Sequence, residues 1–198
     1  QLMPAVVLGA VAAAGRLLFA PIPDFKPVAA ITIMAGTVFG RQTGFLVGAM
    51  AALVSNFFMG QGPWTPWQMY SWGLVGFLAG VLESRGCFSR RGVLYAFGLA
   101  AGLLYGAIMD TWNLIGFVRP ITAASAALNY AMGLPHNVVH GVSTMLFLAV
   151  IYAPWNRKLL RIKEKYDLAQ DGRRWVERRR REREDAPDVG AEGNGDRP

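Results

Sequence analysis

Six long apolar runs divide residues 1–154, and prolines, glycines or charged residues separate one run from the next. The runs lie at 2–20, 27–40, 43–59, 66–83, 92–117 and 123–153. A helix needs roughly 20 mostly apolar residues to cross a bilayer, and the run at 27–40 is short for that length. The two-residue alternation that is typical of membrane barrels is absent from these runs. The pattern therefore predicts an all-α fold, an integral membrane bundle of six helices.

Charge is scarce in this apolar region and abundant after it. Residues 1–154 contain seven basic and three acidic side chains, whereas the last 44 residues contain 13 and 10. Ten charges are too few to solvate a soluble domain of that size, so residues 1–154 are predicted to form a transmembrane domain. We expect residues 155–198 to be a basic cytoplasmic tail, helical at first and largely disordered after about residue 184. Its basic excess is predicted to attract anionic membrane lipid and not nucleic acid.

The connections between the runs indicate how the chain crosses the membrane. With a cytoplasmic N-terminus, the outer connections contain only Lys26 and Arg119 as basic residues. The inner connections and the inner C-terminal flank contain Arg41, Arg85, Arg90, Arg91, Arg157, Lys158 and Arg161. Because cytoplasmic connections of membrane proteins are enriched in Lys and Arg, the sequence predicts a multi-pass protein with both termini in the cytoplasm.

Small residues recur at every fourth position in several runs, a spacing that lets membrane helices approach closely. The third and fifth runs illustrate this spacing with Gly44, Gly48, Ala52 and Asn56, and with Gly98, Gly102, Gly106 and Asp110. Each of these stripes ends in a polar residue on the side of the membrane that the predicted topology makes external. Close packing of the bundle is the simplest interpretation of the stripes themselves.

Polar and aromatic side chains converge on that external half from several runs. Polar groups in a bilayer cost a few kcal/mol each unless they are paired, so they usually face the protein interior or a cavity. We therefore predict a solute-binding pocket that opens outward. The residues predicted to line it are Asn56, Gln61, Trp64, Trp67, Gln68, Tyr70, Asp110, Asn113, His136 and His140.

Some of these residues allow other interpretations. Arg16, in the outer half of the first run, and Asp110 are an alternative buried ion pair that only fixes packing. His136 and His140 have the spacing of a zinc-protease motif, but Asn137 stands where that motif has its catalytic Glu. Hydrogen bonds between helices are therefore favoured over metal ligation. A membrane enzyme or scaffold that uses His136, His140 and Asp110 is an alternative function, as is a different small-solute transporter.

The sequence gives little support for ATP binding or for hydrolase chemistry. It contains neither the glycine-rich ATP-binding loop G-x-x-x-x-G-K-[ST] nor the nucleophile elbow G-x-S-x-G. No catalytic residue, metal site or cofactor is predicted.

Four stretches together resemble one family. They are Lys26–Val28 (KPV), Gly44–Gly48 (GFLVG), Ser55–Phe58 (SNFF) and Gly60–Met69 (GQGPWTPWQM). These stretches resemble the S components of energy-coupling factor (ECF) transporters, the substrate-binding membrane subunits of bacterial vitamin importers. The resemblance covers about residues 5–153, and Gly60–Met69 is similar to the cobalamin-type branch.

The resemblance implies a transport subunit in the bacterial plasma membrane and not an enzyme. Such a subunit captures a vitamin or vitamin precursor at its outer face, with cobalamin or a related corrinoid as the first choice here. Its implied partners are a coupling transmembrane subunit and two ATPase subunits. S components contact the coupling subunit through an A-x-x-x-A pattern on the first helix. Ala10 and Ala14 match that pattern, with Ala13 beside them.

Overall fold

The structure, a computed structural model, describes the backbone of residues 2–184 and the side chains of residues 2–165. Six α-helices make up most of this part of the chain. They are α1 (Leu2–Leu18), α2 (Val28–Phe39), α3 (Arg41–Met59), α4 (Thr65–Ser84), α5 (Arg91–Phe117) and α6 (Ala123–Glu184). The predicted all-α membrane bundle is confirmed, and the first five helices begin and end within two residues of the predicted runs.

Helix α6 extends beyond the last apolar run. The run ends at residue 153, but the helix continues through Pro135 and Pro154 as far as Glu184. A proline inside a helix removes one backbone hydrogen bond, and neighbouring helices or side chains compensate for that loss in membrane proteins. The expected helical start of the tail is therefore present. The disorder expected after residue 184 concerns positions outside the described part of the chain.

The lengths of the helices fit a multi-pass membrane protein. Arg41–Met59, Arg91–Phe117 and the Ala123–Lys165 part of α6 are long and apolar enough to cross a membrane. Helix α2 has only 12 residues, and every residue from Val28 to Gly36 is buried. Helices α1, α3, α4 and α5 all contact α2. Its short length is therefore compatible with a place inside the bundle. The helices up to Leu159 form one compact unit, and the described residues from Leu160 onwards belong to a second.

Helices α3 and α4 are antiparallel and pack through the predicted stripe of small residues. Gly44 faces Gly76, and Gly48 faces the backbone of Trp72 and Gly73. A Cβ atom at Gly44 or Gly48 would overlap those backbone atoms, so only glycine allows this approach.

Helices α5 and α6 form a second close pair of the same kind. Gly102 faces Gly141, and Gly106 faces the side chain of Asn137. Both stripes lead to the end of the bundle where the α1–α2, α3–α4 and α5–α6 connections lie. We call it the Asp24 end, after a residue of the first connection.

Candidate functional site

Arg16 lies in the last turn of α1, and only 7% of its surface is exposed. Its Nη1 donates hydrogen bonds to Ser55 Oγ at 2.6 Å and to Asn56 Oδ1 at 2.5 Å. Both acceptors lie near the end of α3. Helix α1 runs parallel to α3, with Gly9 against Met50. This packing brings the charged side chain of α1 to the polar end of the α3 stripe.

Asn56 is also the centre of a second set of hydrogen bonds. Its Nδ2 donates to Thr65 Oγ1 and to Gln68 Oε1, each at 2.9 Å. Thr65 Oγ1 in turn donates to Gln61 Oε1 at 2.9 Å, and Gln68 Nε2 donates to Tyr105 Oη at 3.3 Å. Both the oxygen and the nitrogen of each amide are therefore hydrogen-bonded, and the network joins α3, α4 and α5.

Three rings from three helices stack beside this network. Trp72 of α4 and Tyr105 of α5 have ring centroids 4.8 Å apart with an interplanar angle of 14°. Tyr105 and His140 of α6 are 4.7 Å apart at 29°. The Cζ atom of Arg16 lies 5.0 Å from the centroid of the Trp72 ring, within cation–π distance. We define the arginine cluster as Arg16, Asn56, Gln68, Trp72, Tyr105 and His140.

Three buried polar atoms of the arginine cluster have no hydrogen-bond partner among the described residues. They are Arg16 Nε, Trp72 Nε1 and His140 Nε2. Trp72 and His140 are 1% and 5% exposed. Leaving a buried polar group without a partner costs about 1–3 kcal/mol, and such groups are rare in native proteins. The arginine cluster, which contains three of them, is therefore the candidate ligand site.

The connection between α1 and α2 is held against α6 next to this cluster. Asp24 has a left-handed backbone conformation, with φ at 56°. Its Oδ2 lies 2.7 Å from His136 Nδ1, and its carbonyl oxygen accepts a hydrogen bond from His140 Nδ1 at 3.3 Å. The Lys26 amide donates to Ser143 Oγ at 3.0 Å. The two histidines of α6 thus contact the α1–α2 connection, and the described residues contain no group of three potential metal ligands.

Asp110 belongs to a separate cluster between α5 and α6. Its Oδ2 accepts a hydrogen bond from Asn137 Nδ2 at 2.7 Å, and its carbonyl oxygen accepts one from Asn129 Nδ2 at 2.8 Å. Asn113 Nδ2 donates to Asn129 Oδ1 at 2.7 Å. We call these four residues the aspartate cluster. The alternative ion pair of Arg16 with Asp110 is therefore wrong, because α1 packs on α3 and the Asp110 carboxylate is bonded by Asn137 of α6.

The structure does not bring all ten predicted pocket residues together. Three of them, Asn56, Gln68 and His140, belong to the arginine cluster. A fourth, Gln61, is connected to Asn56 through Thr65. The aspartate cluster includes Asp110 and Asn113.

The other four predicted residues lie at the edge of the Asp24 end. The His136 side chain is 71% exposed and contacts Asp24. Trp64 meets Trp112 edge-to-face, with ring centroids 6.3 Å apart. Trp67 is half-buried, and Tyr70 is 54% exposed. None of these four is in the arginine cluster.

Three members of the arginine cluster are absent from the predicted set, although the sequence contains a signal for each. Trp72 lies four residues after Gln68 on the same helix face, and Tyr105 lies three residues after Gly102. Arg16 is the only charged residue of α1. A charge inside a predicted span is in itself a reason to expect a functional role.

The small residues of α1 divide between two faces of that helix. Ala10 and Ala14 are exposed, whereas Ala13 is 2% exposed and faces the bundle. Of the three residues predicted to bind a partner, only Ala10 and Ala14 therefore lie on an open surface.

Together, the helical bundle and the arginine cluster define a multi-pass membrane protein with a buried polar site near one end. The family model for the ECF-type riboflavin transporter S component matches residues 3–157. The chain belongs to this family and is thus an ECF-type, substrate-specific transporter subunit. No solved structure matches the chain.

The family match confirms the resemblance to S components and supports a transporter subunit instead of an enzyme. The cobalamin branch of the resemblance gains no support, because the matched family is of the riboflavin type.

Proposed function

We propose that this subunit captures a vitamin with a flat aromatic ring in the arginine cluster, with riboflavin as the first candidate. The observation that carries the proposal is the stack of Trp72, Tyr105 and His140 beside three buried polar atoms without partners. Stacked rings offer a flat ligand a large apolar contact, and a few polar atoms then fix its orientation. The name of the matched family supports riboflavin.

A corrinoid such as cobalamin suits the same residues less well. Corrinoids have a rim of amide side chains, which fits a pocket of unoccupied amides. In the arginine cluster Asn56 Nδ2 already donates to two acceptors, and Gln68 Nε2 donates to Tyr105. The atoms without partners belong instead to a guanidinium, an indole and an imidazole. This set favours a flat ring system over a rim of amide groups.

We infer further that the coupling subunit docks on the exposed face of α1. Ala10 and Ala14 lie one turn apart on that face, and Val7 continues it. Membrane helices approach most closely where small residues meet, because no bulky side chain keeps them apart. The coupling subunit and two ATPase subunits then drive release of the vitamin into the cell.

In this proposal the Asp24 end faces the outside of a bacterial cell, and both termini are cytoplasmic. The basic residues of the connections support this orientation. Arg41, Arg85, Arg90 and Arg91 lie at the opposite end, whereas the Asp24 end has Lys26 and Arg119. Cytoplasmic surfaces carry such an excess of positive charge. The ligand thus enters from outside, at the end where the arginine cluster lies.

Calorimetric titration of the purified subunit, without its ATPase partners, tests the proposal. We expect riboflavin to bind tightly and remain chemically unchanged, with cobalamin titrated in parallel. Tyr105→Leu removes the central ring of the stack and the acceptor of Gln68, so it should weaken binding at least about tenfold. Tyr95→Leu is the matched control, because Tyr95 is a half-buried tyrosine near the other end of α5.

Three results would contradict the proposal. Unchanged affinity in the Tyr105→Leu variant would exclude the arginine cluster as the site. Preferential binding of cobalamin would show that the ligand is a corrinoid and not a vitamin with a flat aromatic ring. Conversion of the bound compound into a product would favour a membrane enzyme over a transport subunit.

A further inference from the structure

The guanidinium of Arg16 is a buried cation that meets only neutral side chains. Its Nη1 donates to a hydroxyl and an amide, and among the described residues it forms no salt bridge. A buried charge in a membrane protein is expensive unless it is paired, and such residues usually face a partner of opposite charge. The hydrogen bonds to Ser55 and Asn56 position the cation but leave its charge uncompensated.

The acidic residues at the Asp24 end are engaged elsewhere. Asp24 pairs with His136, and Asp110 accepts a hydrogen bond from Asn137. A second cation, Lys26, lies close enough to Arg16 to be affected by it. Burial, followed by the charge of Arg16, lowers the pKa of the Lys26 amine, and Asp24 opposes that shift. Among the described residues, no carboxylate pairs with Arg16.

Two donors without partners in the described part of the chain belong to the guanidinium of Arg16 and to the indole that it covers. Arg16 Nε and Trp72 Nε1 are both N–H donors, and neither has an acceptor among the described residues. The guanidinium lies over the indole ring. Hydrogen bonds from such donors to a carboxylate or phosphate are about twice as strong as those between neutral groups.

We propose that the ligand of the arginine cluster carries an anionic group, a phosphate or a carboxylate, that pairs with Arg16. This inference rests on the proposed function and predicts that an anionic form of the ring-bearing ligand binds more tightly than a neutral form such as riboflavin. The anion accepts hydrogen bonds from Arg16 Nε and Trp72 Nε1, while the ring of the ligand contacts the aromatic stack.

Matched pairs of compounds that share a ring and differ in charge test the inference. Three such pairs are riboflavin and flavin mononucleotide, pyridoxal and pyridoxal phosphate, and nicotinamide and nicotinate. Each compound is titrated against the purified full-length subunit. In the pair that binds most tightly, we expect the anionic member to bind at least about tenfold more tightly than the neutral one.

Variants of Arg16 test whether the guanidinium causes the preference for the anionic compound. Arg16→Gln should remove the preference, whereas Arg16→Lys should retain part of it because the charge remains. Arg119→Gln is the matched control. Arg119 is an exposed arginine at the same end of the bundle, and it donates only to the carbonyl oxygens of Ile115 and Val118.

The outcomes separate the inference from the proposed function. Equal or tighter binding of the neutral member, or a preference that persists in Arg16→Gln, would overturn the inference and leave the proposed function standing. Binding of no compound from any pair would overturn both. If Arg16→Gln does not fold, the affinities of the wild-type protein for the anionic and neutral members of each pair still test the inference.

Discussion

The guanidinium of Arg16 donates to Asn56 Oδ1 at 2.5 Å, and this hydrogen bond joins the end of α1 to the end of α3. The same asparagine donates from Nδ2 to Thr65 and Gln68, at the start of α4. One amide therefore positions the only cation of α1 and connects three helices. Asn56 is therefore a central side chain of the arginine cluster.

Replacement of Asn56 by leucine should therefore destabilise the protein. The variant leaves Arg16 and Gln68 without their shared partner, and each buried group left unsatisfied costs about 1–3 kcal/mol. Thermal unfolding in detergent micelles measures the effect. Asn113→Leu is the control, because Asn113 is an exposed amide at the same end with one hydrogen bond. Equal unfolding midpoints for the two variants would contradict the central role of Asn56.

Close packing of α5 against α6 leads to a second prediction. A Cβ atom at Gly102 would overlap the backbone of Gly141, so Gly102→Ala should cost about 1–3 kcal/mol through the shift that it forces. Gly116→Ala, on the same helix, adds a Cβ atom into open space and should leave stability unchanged or slightly higher. Chemical denaturation in micelles compares the two, and similar losses for both variants would argue against a glycine-dependent contact.

The exposed face of α1 provides a test of partner docking. The double variant Ala10→Leu with Ala14→Leu adds bulk where a partner helix is expected to approach, so vitamin uptake by cells should be lost while binding to the purified subunit remains. The double variant Ala96→Leu with Ala100→Leu is the control, since these exposed alanines have the same spacing on α5. Normal uptake by the α1 variant, at matched expression, would disprove docking on this face.

The proposed orientation is tested by cysteine labelling in intact cells. With Cys87 replaced by Ser, Gly172→Cys should resist an impermeant maleimide, because the basic segment around it is expected to be cytoplasmic. Ile121→Cys, in the α5–α6 connection at the Asp24 end, should be labelled. The reverse pattern would place the arginine cluster near the cytoplasmic side.

The bounds of the first five helices were predictable from the apolar runs of the sequence alone. Lipid allows a chain that crosses it to form only helices or closed barrels, so apolar runs locate helices closely. The four-residue spacing of glycines also predicted which faces pack, as the contacts of Gly44 with Gly76 and of Gly102 with Gly141 demonstrate. Both features are local, because they depend on residues within one helix.

The partners of the polar side chains were not predictable in this way. Arg16 pairs with Asn56 and not with Asp110, because α1 packs parallel to α3, whereas Asn137 of α6 donates to the Asp110 carboxylate. The stack of Trp72 on Tyr105 likewise depends on how α4 lies against α5. Periodicity identifies the face on which a residue lies but not the neighbour that the face meets. That choice depends on contacts between residues far apart in the chain, and only the tertiary structure determines it.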